Sequence, residues 1–369
     1  MKKVLLREAR SIMHIPDGYL GPLTFIFFYI IMMPIWYVAS KKVEKSLKTR
    51  QIPLLAFGVA FSFVIMMFNF PAPGGTTGHA VGAAILSLTL GPWFGVLGVT
   101  GALLIQCLLF GDGGITTFAA NCWNMAFVMS FVSYYVYRLL STRAPLLSRR
   151  RWLSAALSGY ISLNAAALMC AIELGFQPVL YTAADGRPLY APYPISITIP
   201  AMLISHMLVF GIVEAAATGF LVSYVMRSDP SLLAPAIAKG IPELAIGTPV
   251  IASAESPATS NHSPFRKLWI LLGVLIVLVP LGLLAPGEAF AEWGAKELEA
   301  LVGFVPAGLN GLEELYRAPM IDYTLPGLTD FTSQSLAYVL AAIIGVSILG
   351  LSLFVWYRIR LKAGIANDS

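Results

Sequence analysis

AVGAAILSLTLGPWFGVLGVTGALLIQCLLF, residues Ala80–Phe110, runs for 31 residues without a charge. A helix crosses a bilayer with about 20 apolar residues. The stretch is therefore one long kinked crossing or two short ones. Gly91-Pro92 interrupts it, since proline has no amide hydrogen and glycine adopts turn conformations freely. Hydropathy does not choose between the two readings, but the charges on either side do.

Ahead of the stretch, a first apolar run over about Gly21–Ser40 ends in Lys41, Lys42, Lys45, Lys48 and Arg50, and a second covers about Ile52–Phe70. Beyond it, a run over about Thr117–Tyr137 ends in Arg138, Arg143, Arg149, Arg150 and Arg151. Basic residues collect on the cytoplasmic side of a membrane. One crossing by 80–110 would separate the two clusters, whereas two crossings put them on the same side. With further runs at Trp152–Leu174, Ile195–Met226, Leu268–Leu284 and Ser335–Trp356, the expectation is nine spans, the N-terminus outside and the C-terminus inside. The external loops then hold only Arg187, Lys296 and Arg317 among Lys and Arg.

Composition agrees. The chain is 57% hydrophobic and 12% charged, with mean hydropathy +0.77, where a soluble domain is about a quarter charged. This describes an all-α polytopic membrane protein. Its net charge of +5 reports topology, and no basic tail with interleaved aromatics points to nucleic acid. Cys107, Cys122 and Cys170 lie in or beside apolar runs without CxxC spacing, as small core residues do. Residues 1–12 form a basic extension. Residues 227–265, rich in Pro, Ser, Thr and Ala, read as a cytoplasmic linker. They divide a module over 13–226 from a region over 266–369 with two spans of its own.

Two polar pieces carry the chemistry: Met13-His14-Ile15-Pro16-Asp17-Gly18-Tyr19-Leu20 and Gly74-Gly75-Thr76-Thr77-Gly78-His79. The nine-span arrangement puts both, with Asp112, on the outer face. If Met13 is the first residue, its α-amine, the amide nitrogen of His14 and Nδ1 of His14 form two fused chelate rings. A nitrogen from His79 would complete a square plane, which suits Ni(II). Pro16 and Gly18 turn the short lead inward. His79, at the start of a helix, would stay neutral and metal-binding beside the positive end of the dipole. Each residue also has a plainer role. A lone histidine near an interface is often a hydrogen-bonding group, Gly111–Gly114 a turn, Asp112 an exposed loop carboxylate or a helix cap. Asn121 and Asn124, three apart, share a helix face and would orient ligands or bond neighbouring helices; Gln106 is similar. His206 and Glu214 are ionisable groups inside one span, hence candidates for a relay or an intramembrane network. Gly95, Gly98 and Gly101 permit close helix packing. His262 falls in the linker.

MHIPDGYL, GGTTGHAVGAA, LGPWFGVL, LLFGDGGITTFAANCWNMA and SHMLVFGIVEAAATG together resemble the substrate-capture M subunit of cobalt/nickel energy-coupling-factor transporters, CbiM/NikM, over about residues 13–226. The resemblance implies a seven-helix capture module in the cytoplasmic membrane of a bacterium or archaeon. It implies Ni(II) or Co(II) as substrate, held by Met13, His14 and His79, with Asn121 and Asn124 nearby. It implies as partners a transmembrane coupling subunit and two ABC-type ATPases, with no resident cofactor. Ile321-Asp322-Tyr323-Thr324-Leu325-Pro326-Gly327 resembles the ADYSVPG segment of the small N subunit in its PDGLE-containing form. The PDGLE motif itself is reduced to Pro306-Ala307-Gly308-Leu309-Asn310-Gly311-Leu312-Glu313. The family's ligand is a free Met-His terminus, and twelve residues stand ahead of Met13 here. Translation from Met13 is the expectation, removal of the extension or a different site the alternatives.

Three other classes compete. A vitamin-capture subunit of the same transporter class would bind no metal. A membrane enzyme needs a catalytic group at membrane depth, and Ser158-Gly159, far from any histidine, is the nearest approach. A scaffold would tolerate loss of both His14 and His79. The chain has no GxxxxGK[ST] for ATP and no HExxH.

Overall fold

Gly91 takes φ +114° and ψ 159°, and Pro92 opens a new helix behind it. The 31-residue stretch is therefore two helices. In the computed structural model, residues 14–73, 76–145, 147–232, 265–285, 289–312, 315–325 and 327–362 are described. The extension 1–12, Met13, Gly74, Gly75, linker residues 233–264 with His262, and Pro326 lie outside the described residues.

The elements run α1 (Pro22–Ser46), α2 (Ile52–Met66), a small antiparallel hairpin of β1 (Phe70–Ala72) and β2 (Thr76–Gly78), α3 (Ala83–Thr89) and α4 (Pro92–Phe110). Then come α5 (118–140), α6 (Arg149–Leu180), α7 (Ile195–Ser228), α8 (Phe265–Leu284), α9 (Ala295–Val302), α10 (Ala307–Leu312) and α11 (Phe331–Lys362). Seven of these helices are long and apolar enough to cross a membrane. Two expected spans fall outside that count among the described residues. Helix α3 has only seven residues, about 10 Å at 1.5 Å each. Helix α5 is long but diluted by Asn121, Asn124 and a run of tyrosines and serines.

Lipid offers helices no hydrophobic reward for pairing, so close contact between backbones does the work. A Cβ on Gly95 would stand 2.2 Å from Ser130 Oγ and 3.4 Å from Ala83 O; one on Gly98 would meet Leu86 and Val59. These glycines let α4 press against α2, α3 and α5. Helix α2 is the centre, with Leu54, Phe57, Phe61, Phe63, Val64 and Met66 buried. Helices α8 and α11 cover its remaining side: Gly345 lies over the Phe63 ring, Gly282 over Met67 O, and the Tyr338 hydroxyl donates to Met67 O at 3.4 Å. Helix α1 is peripheral and turns Leu23, Phe27, Ile30 and Met33 outward.

Three helices carry a wider π turn: Gln106–Phe110 in α4, Cys122–Val128 in α5 and His206–Phe210 in α7. Such turns concentrate where a helix serves a site. Replacing Gly95 by Val should overpack the α4–α5 contact. The expected cost is about 1–3 kcal/mol, read as a lower Tm in detergent; an unchanged Tm would show that α4 and α5 can part freely.

Candidate metal site

The first described residues fold back as a hook, and polar ties hold it. Ile15 N donates to Asn121 Oδ1 at 3.1 Å, and Asn121 Nδ2 donates back to Ile15 O at 3.1 Å. Ile15 O also accepts from the Thr117 hydroxyl at 2.5 Å and from Gly114 N at 3.1 Å. Asp17 accepts from Ile115 N at 3.0 Å, Thr116 N at 2.7 Å and the Thr116 hydroxyl. The glycines between Asp112 and Ile115 make room. A Cβ on Gly113 would stand 2.9 Å from that of His14, and one on Gly114 2.3 Å from Asp17 N.

His79 follows β2, and its Nδ1 lies 2.9 Å from Ala80 O. A carbonyl only accepts, so Nδ1 carries the hydrogen and the neutral ring keeps its lone pair on Nε2. The helix begins later than expected, at Ala83 behind Gly82 at φ +76°, so His79 does not sit in its first turn. The amides just ahead of that helix are taken up by Glu214 instead. Its Oε2 accepts from Val81 N at 2.8 Å and Gly82 N at 2.9 Å, while the Thr218 hydroxyl donates to Oε1 at 3.4 Å.

The two loops meet. The His14 and His79 rings stand 5.2 Å apart between centroids, inclined by 77°, and both residues are buried. Asp112 Oδ1 lies 2.8 Å from His14 Nδ1, but off the line of a hydrogen bond. Both ring nitrogens of His14 are thus buried with no aligned hydrogen-bond partner among the described residues. A buried polar atom left so costs roughly 1–3 kcal/mol. Among the described residues, no three His, Cys, Asp or Glu side chains have metal-holding geometry.

Asp112 is buried rather than an exposed cap. The Tyr323 hydroxyl donates to its Oδ2 at 2.5 Å, and Gln106 Nε2 donates to the Tyr323 oxygen at 2.9 Å. Burial, with the Asp112 charge beside it, pushes the Tyr323 hydroxyl well above the usual phenol range, so it stays a donor at neutral pH.

The remaining expected residues divide. Asn121 holds the hook. Asn124 lines the same cavity as His14 and His79 and donates to Glu173 Oε2 at 2.9 Å, from the π turn that starts at Cys122. His206 Nδ1 donates to Met202 O at 2.7 Å, its ring edge-on to Phe210. It lines the same cavity as His14, His79, Asn124 and Cys170. Among the described residues no hydrogen bond joins His206 to Glu214, so of the two readings a relay between them has no direct link. Sequence reasoning passed over Glu173, Asp17, Thr117 and Tyr323. Glu173 met the rule that singled out Glu214, an ionisable group inside a span.

The sequence profile of the cobalt uptake substrate-specific transmembrane region, CbiM, matches residues 14–232. The chain belongs to the CbiM family. Likeness continues past that region. A fused nickel transport protein NikMN of Rhodobacter capsulatus is 44% identical over 91% of this chain and 95% of its own. A probable fused nickel transport protein LarMN of Lactiplantibacillus plantarum is 40% identical over the same shares. A crystal structure of a transition metal transporter, 52% identical, matches 59% of this chain and 94% of its own with a TM-score of 0.55. Within this CbiM-family chain, Glu214 sits at the loop that presents His79. Glu214→Ala should strand two buried amides, each worth roughly 1–3 kcal/mol, and lower the Tm. Glu214→Gln, whose amide oxygen still accepts, should lose less. Equal Tm for wild type and Glu214→Ala would mean that the loop is held by something else.

Proposed function

We propose that the chain is the substrate-specific component of an ATP-driven uptake system for Ni(II) or Co(II). The observation that carries this is the meeting of His14 and His79, 65 positions apart in sequence, ring against ring in one buried cavity. Two neutral imidazoles are a characteristic donor set for late first-row dications. Membership of a cobalt uptake family and likeness to full-length nickel transport proteins support the same substrate.

In this reading His14 and His79 are ligands. Further nitrogens come from the main chain at His14 and, where Met13 is the terminal residue, from its α-amine. Asn121 fixes the hook, and Asp112 supplies negative charge beside the metal. Asn124 and Gln106 act one layer out, through Glu173 and Tyr323. The chain crosses the cytoplasmic membrane nine times, with α3 and the strand before it making one thin crossing, the start outside and the end inside. Residues 13–226 form the capture module, 227–265 a cytoplasmic linker and 266–369 an N-subunit-like region. Energy comes from two ABC-type ATPases acting through a transmembrane coupling subunit, all on separate chains.

The test is metal content and intact mass of the purified protein after exposure to equimolar Ni(II) and Co(II). The expected result is about one tightly held ion in wild type, its identity naming the substrate, and none in His14→Ala or His79→Ala. The mass states whether the chain starts at Met13. Equal, weak metal in all three proteins would overturn metal capture and turn attention to an organic substrate.

A further inference from the structure

The last third of the chain meets the site at two places: residues 289–292 line the cavity beside His14 and His79, and Tyr323 reaches Asp112. Met320 N donates to Leu109 O at 3.0 Å, and the Tyr316 hydroxyl to Leu108 O at 2.7 Å, tying this segment to the end of α4. Asp322 and Tyr323 then take φ +54° and +60° in succession. Two consecutive non-glycine residues in the left-handed region are unfavourable and persist where the surroundings hold them. The turn buries the Tyr323 ring, stacked on Phe110 at 4.7 Å and edge-on to Tyr338 at 5.3 Å.

The hydroxyl has a single consistent direction. The Gln106 amide nitrogen only donates and an ionised carboxylate only accepts. The tyrosine proton therefore goes to Asp112 Oδ2, and its oxygen takes the Gln106 hydrogen. The other carboxylate oxygen is the one 2.8 Å from His14 Nδ1. Gln106, Tyr323 and Asp112 form a chain of hydrogen bonds between segments more than 200 positions apart, and it ends 2.8 Å from His14.

We propose that Tyr323 is a positioning residue for metal capture: it holds Asp112 as the counter-charge beside His14, so the capture site is complete only with the C-terminal region in place. This rests on the reading of His14 as a ligand. A dication held by imidazole and main-chain nitrogens keeps a net positive charge even when the His14 amide gives up its proton to bind, and it gains from one fixed negative charge at its edge. A carboxylate with one oxygen pinned has one place to put the other.

Tyr323→Phe keeps the ring and removes only the hydroxyl. Retention of Ni(II) and Co(II), measured by competition with a chelator, should weaken about 10-fold or more, as for partners that orient metal ligands. Asp112→Asn should weaken it at least as much. The double variant should be no worse than Asp112→Asn alone, since both cut one chain of hydrogen bonds. A residue that merely packs would give additive losses. Tyr316→Phe, the same chemical change on the same segment, should retain metal as wild type does. Wild-type retention in Tyr323→Phe, tighter retention in it (Asp112 then competes with the metal), or additive losses would each overturn the proposal while leaving metal capture standing. Should Tyr323→Phe not fold, Asp112→Asn decides alone, and unchanged retention there overturns the role. Failure of the wild type to retain either ion would instead remove the reading on which the proposal rests.

Discussion

The carboxamide of Asn121 grips both sides of the Ile15 peptide, and the geometry of the site hangs from that grip. The hook has no helix or sheet of its own to hold it. Each hydrogen bond contributes about 1 kcal/mol net, too little singly to fix a chain lead. Four such ties converge on Ile15 and three on Asp17. Together they can fix His14 with the tolerance of a fraction of an ångström that a metal site requires.

Four carboxylates that brace the loops and helices beside the site follow one logic, set by the expense of leaving a buried polar group without a partner. Asp17 takes amides at the turn before α5, and Glu214 takes amides ahead of α3. Both sit where helices begin and leave donors over. Glu173 takes the Asn124 amide, and Asp112 takes the Tyr323 hydroxyl. The His14 ring differs from these groups in having both of its polar atoms buried without an aligned partner among the described residues.

Much of this was legible in the sequence. Gly91-Pro92 marked the break, since one residue lacks a side chain and the other an amide hydrogen. The lysine and arginine clusters put His14, His79 and Asp112 on a common face, and the three do meet. Asn121 and Asn124 were assigned one face, and both line the cavity, though one ties the hook and the other bonds Glu173 of α6. Local rules failed at a helix start. His79 was expected to open a helix that in fact begins at Ala83, because Gly82 and Glu214 set its start. Tyr323 was legible only as part of a resemblance. Its partner Asp112 lies 211 positions away, a separation that no periodicity encodes.

The π turns have a consequence for how such a chain can vary. Each holds one residue more than the α-helix around it needs. In α4 the wide turn is also the last one, because Gly111 at φ +66° ends the helix directly behind Phe110. The extra residue therefore acts at the exit, where it sets the direction in which the chain leaves α4 toward Asp112. Substitutions along the body of the helix leave that direction alone, whereas a change of length within Gln106–Phe110 would re-aim the loop that carries Asp112.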